Sequence, residues 1–299
     1  MPSMLERIGR WNLRRQGARD LYLDVEGVRL HAYELEGEGS EPLVLLHGIG
    51  STAVTFGPLL KRLRPYFGRI ILPEAPAHGY SQPPEEALDA EGFFSYVCAV
   101  LDATLDVPFS LYGNSLGGAA AIRYAMERPG RVSRLMLLAP AGARMDAASL
   151  EALTRTFELS SVAEARAFVR RLFHRPRWWT RFAARDLRRR LHHPMVRGFL
   201  ATARVEDQLD GARLAALSMP ILFMWGGAER VLPGEHLSWY KAHLPLGTHL
   251  VEPPHFGHSA YIEYPDDVAR ELLTFAGLGP LGDGATGPVD PEGAPAGGA

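Results

Sequence analysis

The sequence predicts an α/β fold: a mostly parallel, eight-stranded sheet flanked by helices, with a helical insertion after the sixth strand. Three observations carry this. Short, fully apolar runs of strand length alternate with amphipathic stretches of helix length. The alternation breaks once, from Gly142 to Arg213, where no strand pattern occurs. One glycine-flanked serine, Ser115, stands where a strand run meets a helical stretch.

The elements follow in order. Residues 1–20 form a basic segment, with Arg7, Arg10, Arg14, Arg15 and Arg19 against Glu6 and Asp20. It lacks the apolar core of a secretory signal, so a cytoplasmic protein is expected. Its apolar residues Ile8, Trp11 and Leu13 are sparse, which predicts a solvated helix, with peripheral membrane contact as the alternative. Leu21–Val25 and Val28–Glu36 alternate around Glu26-Gly27 and read as an antiparallel hairpin. Six apolar runs then suit strands buried on both faces: Leu43–Leu46, Arg69–Leu72, Phe109–Tyr112, Leu135–Ala139, Ile221–Trp225 and His249–Val251. Helical patterns lie between and after them at Thr52–Leu63, Ala90–Leu105, Gly117–Glu127, Gly234–His243 and Asp266–Phe275. The core is thus expected at 21–141 and 214–276. The interval 142–213 exceeds any βα connection and reads as a helical cap, interrupted at Pro176 and Pro194. The end, 277–299, is Gly/Pro-rich and is expected to be disordered, because it cannot bury enough apolar surface to offset its ordering entropy.

Composition excludes several classes. The 299 residues carry a net charge of −2, with 46% apolar and 22% charged residues. That is an ordinary globular composition. A single cysteine, Cys98, rules out a disulfide framework, and its place in the apolar pattern of Ala90–Leu105 reads as a buried thiol. No apolar run reaches the ~18 residues of a spanning helix. His192-His193 lacks partners at helical spacing, so neither a metal nor a cofactor is expected.

Gly113-Asn114-Ser115-Leu116-Gly117-Gly118 matches G-x-S-x-G between strand and helix. A serine exposed on so tight a turn has a strained backbone, and its neighbours must lack a Cβ to let strand and helix pass. The helix N-terminus behind it favours developing negative charge. Acyl transfer needs preplaced N–H donors for the oxyanion. Those of Leu116 and of Ile49, in the loop His47-Gly48-Ile49-Gly50, are the candidates. His47 reads as a loop-bonding residue. A carboxylate, Glu229, follows the strand Ile221–Trp225, and His258 follows the last strand. The order Ser115, Glu229, His258 is nucleophile, acid, base. His255 competes as base and Asp146 as acid; Glu229 has a further reading as a surface partner of Arg230.

With these pieces the sequence resembles the α/β-hydrolase superfamily, specifically small bacterial serine hydrolases of esterase or lipase type with a helical cap. The resemblance covers about Leu21 to Phe275. It rests on His47-Gly48-Ile49-Gly50, Ala75-Pro76-Ala77-His78-Gly79-Tyr80-Ser81, the Ser115 elbow, Trp225-Gly226 and Gly257-His258 with Glu263-Tyr264-Pro265. The family's acid is usually Asp where this chain has Glu229. Its D-x-P-G-H-G-x-S loop begins here with Glu74-Ala75-Pro76-Ala77, and Glu74 and His78 read as scaffold. Relatives that are epoxide hydrolases or haloalkane dehalogenases use Asp in place of Ser115. The resemblance implies hydrolysis of a carboxylic ester, of short to medium acyl chain or lipid-derived. The Gly-Asn-Ser-x-Gly-Gly elbow also resembles hydrolases that cleave C–C bonds in carboxylate-bearing ring-fission products, although those carry Trp where this chain has Ser259. Acyl transfer, and a small-ligand receptor on the same fold, are the remaining alternatives.

The cap holds 15 Arg and no Lys against eight acidic residues, a net charge of +7. Two readings stand: a solvated lid in an Arg-biased chain, or a surface for an anionic substrate or lipid. A nucleic-acid partner is not expected, since no binding module accompanies the charge. Interleaved aromatic residues, Trp178, Trp179 and Phe182 among them, are expected to face the substrate. Oligomeric state is left open.

Overall fold

The computed structural model describes residues 3–86, 88–178 and 180–279. Glu26 and Gly27 both take positive φ, at 52° and 77°, which turns β1 (Arg19–Val25) into β2 (Val28–Glu36). Next come β3 (Pro42–Leu46), β4 (Arg69–Pro73), β5 (Phe109–Ser115), β6 (Val132–Pro140), β7 (Ile221–Met224) and β8 (His249–Val251). They form one sheet in the order β1-β2-β4-β3-β5-β6-β7-β8. Only the β1–β2 and β2–β4 pairings are antiparallel. Every residue of β5 is buried, as its largely apolar run at Phe109–Tyr112 predicts for a central strand, and the one polar side chain of that run, Ser110, donates to Glu41 at 2.9 Å.

The helices are α1 (Met4–Arg15), α2 (Gly57–Leu63), α3 (Ala90–Thr104), α4 (Leu116–Glu127), α5 (Ala147–Arg155), α6 (Val162–Arg171), α7 (Thr180–Leu191), α8 (Pro194–Thr202), α9 (Gly211–Ala215), α10 (Gly234–His243), α11 (Ala260–Glu263) and α12 (Pro265–Ala276). One face of the sheet packs against Phe94, Leu101, Ile122, Tyr124 and Tyr240 of α3, α4 and α10. The other packs against Leu13, Leu59, Leu63 and Leu272 of α1, α2 and α12. Cys98 lies in the first of these cores, and burial pushes its thiol up to about 12.

Helices α5–α9 lie between β6 and β7, where the sequence places the insertion. They build a small core of their own from Phe157, Phe168, Ala184, Leu187, Leu191, Met195 and Val196. Its seams are made largely by guanidinium groups on peptide carbonyls. Arg188 donates to Leu159 O and Ser160 O, at 3.0 and 2.8 Å. Arg171 reaches Arg230 O and Val231 O, and Arg230 reaches back to Phe173 O and His174 O. His192 and His193 serve the same backbone, on Leu159 O and the Met195 N–H.

One expectation changes. Within the basic segment 1–20, Met4–Arg15 is a docked helix, not a solvated one, and Arg19 and Asp20 already belong to β1. Leu13 enters the core, and the buried Glu6 carboxylate holds Arg189 at 3.2 Å and Arg190 at 3.0 Å. Asp20 is drawn into the sheet by Arg10, Arg14 and His31. The segment 277–299 falls outside the described residues except for its first three, where Gly277 closes α12 in the left-handed conformation.

Candidate active site

The parallel strands end at one edge, and their C-terminal loops carry the sequence-marked residues, the usual place for a site in an α/β sheet. Strand β5 passes into α4 at Ser115, with φ 55° and ψ −122°. A non-glycine residue in that region is strained. A Cβ on Gly113 would stand 2.4 Å from Gly117 O, so glycine there is a steric requirement of the turn. Leu116 is the first residue of α4, and its N–H has no intrahelical acceptor.

The loop after β3 packs on this turn. A Cβ on Gly48 would lie 3.0 Å from Ser115 Cβ. Ile49, Ser115 and Leu116 line one cavity of about 170 Å³. Two buried histidines fix the loop. His47 donates from Nδ1 to Gly48 O at 2.9 Å and accepts the Ala75 N–H at Nε2. His78 donates from Nδ1 to Pro76 O and accepts the Gly50 N–H at Nε2, at 2.9 and 3.0 Å. Burial holds both rings neutral, pushing His47 down and His78 down to about 3. Glu74 is likewise scaffold, accepting from the Tyr80 N–H and facing His31.

Glu229 and His258 are brought together. His258 Nδ1 stands 2.8 Å from Glu229 Oε2. The other oxygen, Oε1, accepts the Val231 and Leu232 N–H groups at 2.6 and 3.0 Å. Burial raises this carboxyl, but the His258 ring and the two amides outweigh it and hold it below its ordinary value. An ionised carboxylate only accepts, so Nδ1 carries the proton and Nε2 is the basic nitrogen. The extra methylene of Glu, relative to the family's Asp, is accommodated because the loop folds back under Oε1. Its N–H bonds Gly227 to Pro253 O and Ala228 to Phe256 O lock it to the loop that carries His258.

The rivals are engaged elsewhere. Asp146 caps α5 through the Ser149 N–H, at 2.8 Å. His255 Nε2 pairs with Asp267, at 3.1 Å. Arg230 bonds the Phe173 and His174 carbonyls described above rather than Glu229.

Three residues that the sequence reading passed over matter here. Asn114 donates from Nδ2 to Leu138 O at 2.9 Å and to His258 O at 3.0 Å, so it fixes the main chain of His258 against the elbow. Arg190 of α7 donates from Nε to Gly50 O at 2.6 Å. His236 lines the cavity beside Leu232; its enclosed Nδ1 has no hydrogen-bond partner among the described residues, and burial pushes the ring down to about 4. Asn114 lay in plain view inside the elbow motif. Arg190 was one of 15 in its segment, with nothing local to single it out.

Trp178 and Phe182, expected to face substrate, do not do so. Trp178 is 72% exposed and Phe182 51%, and they pack edge-to-face on each other. Neither lines the cavity at Ser115. The reason is register: α7 turns Leu187 and Leu191 inward, and Phe182 falls on the outer side. Trp179 lies outside the described residues. The cavity is walled instead by Phe93, Ala119, Met145, Leu153, Phe157 and Phe199. Its cations are occupied: Arg123 pairs with Glu91 and Glu127, and Arg204 with Asp207.

Over 276 residues the chain is 29% identical to the dihydrolipoyllysine-residue acetyltransferase component of the acetoin cleaving system of Pseudomonas putida, covering 87% of this chain and 70% of that protein. It is 26% identical to a 2-hydroxy-6-oxo-6-phenylhexa-2,4-dienoate hydrolase of Burkholderia cepacia, covering 84% and 92%. It is 27% identical to a pimeloyl-[acyl-carrier protein] methyl ester esterase of Pectobacterium atrosepticum, covering 82% and 97%. The sequence model of one family matches residues 43–271, from β3 through the elbow and both loops into α12. The chain belongs to the alpha/beta hydrolase family.

Proposed function

We propose that the protein is a serine hydrolase that cleaves carboxylic esters with a neutral, apolar acyl group. The observation that carries this is the cavity at Ser115, whose wall is apolar and whose few cations are already paired. An apolar cavity favours an acyl chain by burial and disfavours an unpaired carboxylate by desolvation. The esterase relative supports the reading.

Ser115 Oγ attacks the ester carbonyl, and His258 Nε2 takes its proton. Glu229 holds the ring by Nδ1 and stabilises the imidazolium. The N–H groups of Ile49 and Leu116 receive the oxyanion, aided by the α4 N-terminus. The imidazolium then protonates the leaving alcohol, and water, activated by the same histidine, resolves the acyl-enzyme.

C–C bond hydrolysis is the second reading, favoured by the dienoate hydrolase relative and by Arg123 and Arg204 at the cavity wall. It would require one of these to release its acidic partner for a substrate carboxylate. The insertion's other arginines that bond peptide carbonyls or Glu6 are committed to structure, which favours the neutral ester.

The test is fluorophosphonate labelling together with turnover of p-nitrophenyl esters of graded chain length, on wild type and Ser115→Ala. Labelling and turnover lost together in the variant support the reading. Labelling without ester turnover moves the assignment to C–C hydrolysis or acyl transfer. Absence of labelling overturns the enzyme and leaves a ligand receptor.

A further inference from the structure

We propose that the outward face of α1 docks the protein on an anionic phospholipid bilayer. Of the large apolar side chains the fold leaves exposed, four lie on this one helix: Met4 at 76%, Ile8 at 50% and Trp11 at 59%, with Leu5 beside them. At 100° per residue, Met4, Ile8 and Trp11 fall within roughly 60° of arc. Arg15 falls on the same arc one turn beyond Trp11, and Arg7 borders it. The opposite face is fully used: Leu13 in the core, Glu6 on Arg189 and Arg190, and Gly9 against Val54. Sequence spacing counts Leu13 with the apolar face; the structure removes it and adds Met4 and Leu5.

The flanking charge selects the partner. Arg10 and Arg14 are neutralised on Asp20. Arg7 and Arg15 make no ion pair among the described residues, and the Arg15 guanidinium lies 4.8 Å over the Trp11 ring. The helix is clasped to the most basic part of the chain, the insertion with its net charge of +7. An apolar stripe with an interfacial tryptophan and bordering arginines matches a lipid surface, with the side chains in the acyl boundary and the guanidinium groups at the phosphates. Because the buried face already holds α1 helical, binding needs no folding step.

This inference does not depend on the chemistry at Ser115. The full chain is sedimented with vesicles of phosphatidylglycerol and phosphatidylcholine, and with vesicles of phosphatidylcholine alone. The expected result is binding to the anionic vesicles, weakened by salt, with at least a tenfold loss of partitioning in the double variant Ile8→Glu, Trp11→Glu. Arg7→Gln with Arg15→Gln, which leaves the stripe intact, should lose the preference for anionic lipid. Turnover of a soluble short-chain ester, unchanged in both variants, reports that they fold; Ser115→Ala should bind vesicles like wild type. Absence of vesicle binding by wild type, or equal binding by folded stripe variants, overturns the proposal. A dimer in solution that the stripe variants dissociate, with no vesicle binding, also overturns it and gives the face to a second copy of the chain.

Discussion

Arg190 Nε donates to Gly50 O at 2.6 Å while Nη1 of the same guanidinium lies 3.0 Å from Glu6 Oε1. One side chain of α7 thus joins the N-terminal helix, the insertion and the loop that carries the Ile49 N–H. Arg190→Met should leave the Gly50 carbonyl unmatched and Glu6 with one cation fewer. We expect a stability loss of about 1.5–3 kcal/mol, typical for charge-assisted hydrogen bonds, read by urea denaturation. A fall in kcat of roughly tenfold with little change in KM should accompany it, as for a misplaced transition-state donor.

Glu229→Gln keeps the shape of the acid and removes its charge. The amide can present its N–H to His258 Nδ1 and invert the tautomer, so kcat should drop by about 10⁴-fold. Glu229→Asp should be milder, because the shorter acid must give up either His258 or the Val231 and Leu232 amides. Kinetics on a soluble ester, with thermal melts as a folding check, separate the two variants.

Three buried neutral histidines make the fold acid-sensitive. Folded His78 titrates at about 3 and His236 at about 4, His47 is also lowered, and each has an ordinary value of 6.5. Between the folded and ordinary values the unfolded chain binds more protons, so stability rises with pH in that window and falls as pH drops from about 6.5 toward 4. Each histidine adds at most about 1.4 kcal/mol per pH unit. Denaturation midpoints from pH 7 to pH 4.5 test this. His78→Gln should flatten the slope, and an unchanged slope would remove His78 from the account.

Ala119 lines the cavity beside Ser115. Ala119→Phe should fill part of its ~170 Å³ and exclude long chains. We expect kcat/KM for a decanoyl ester to fall at least tenfold relative to a butanoyl ester, within the few kcal/mol that pocket filling commands. Equal losses on both esters would place the acyl chain elsewhere.

Gly113→Ala tests the elbow. Its Cβ would meet Gly117 O at 2.4 Å, a backbone atom that cannot swing aside. The cost should exceed about 3 kcal/mol, in the range of severe steric substitutions, visible as loss of soluble protein or a strongly lowered Tm.

What could be read beforehand follows from how local each signal is. β1 and β2 were legible from their alternation around Glu26-Gly27, and β3 to β7 because a strand buried on both faces is a short, mostly apolar run; β8, expected to be buried on both faces, is instead an edge strand with His249 exposed and Leu250 40% exposed. Ser115, Glu229 and His258 were legible because each follows a strand at one edge of the sheet, which fixes their order in the chain. The Asn114 bridge was not, because its acceptor at His258 lies 144 residues away in sequence. Trp178 and Phe182 were misassigned for a related reason. Helical periodicity says that two faces differ, but only the packing of Leu187 and Leu191 says which one turns inward.

The guanidinium seams of the insertion carry a consequence for how this region tolerates change. Arg171, Arg188 and Arg230 each span two successive carbonyls, and a carbonyl has no formal charge. Added salt should therefore spare these clasps while it weakens the Glu6 cluster. Lysine cannot replace the fork, since an ammonium offers charge without the paired planar donors. A charge-preserving exchange at these three positions, neutral on most protein surfaces, would here unfasten the helices over Ser115.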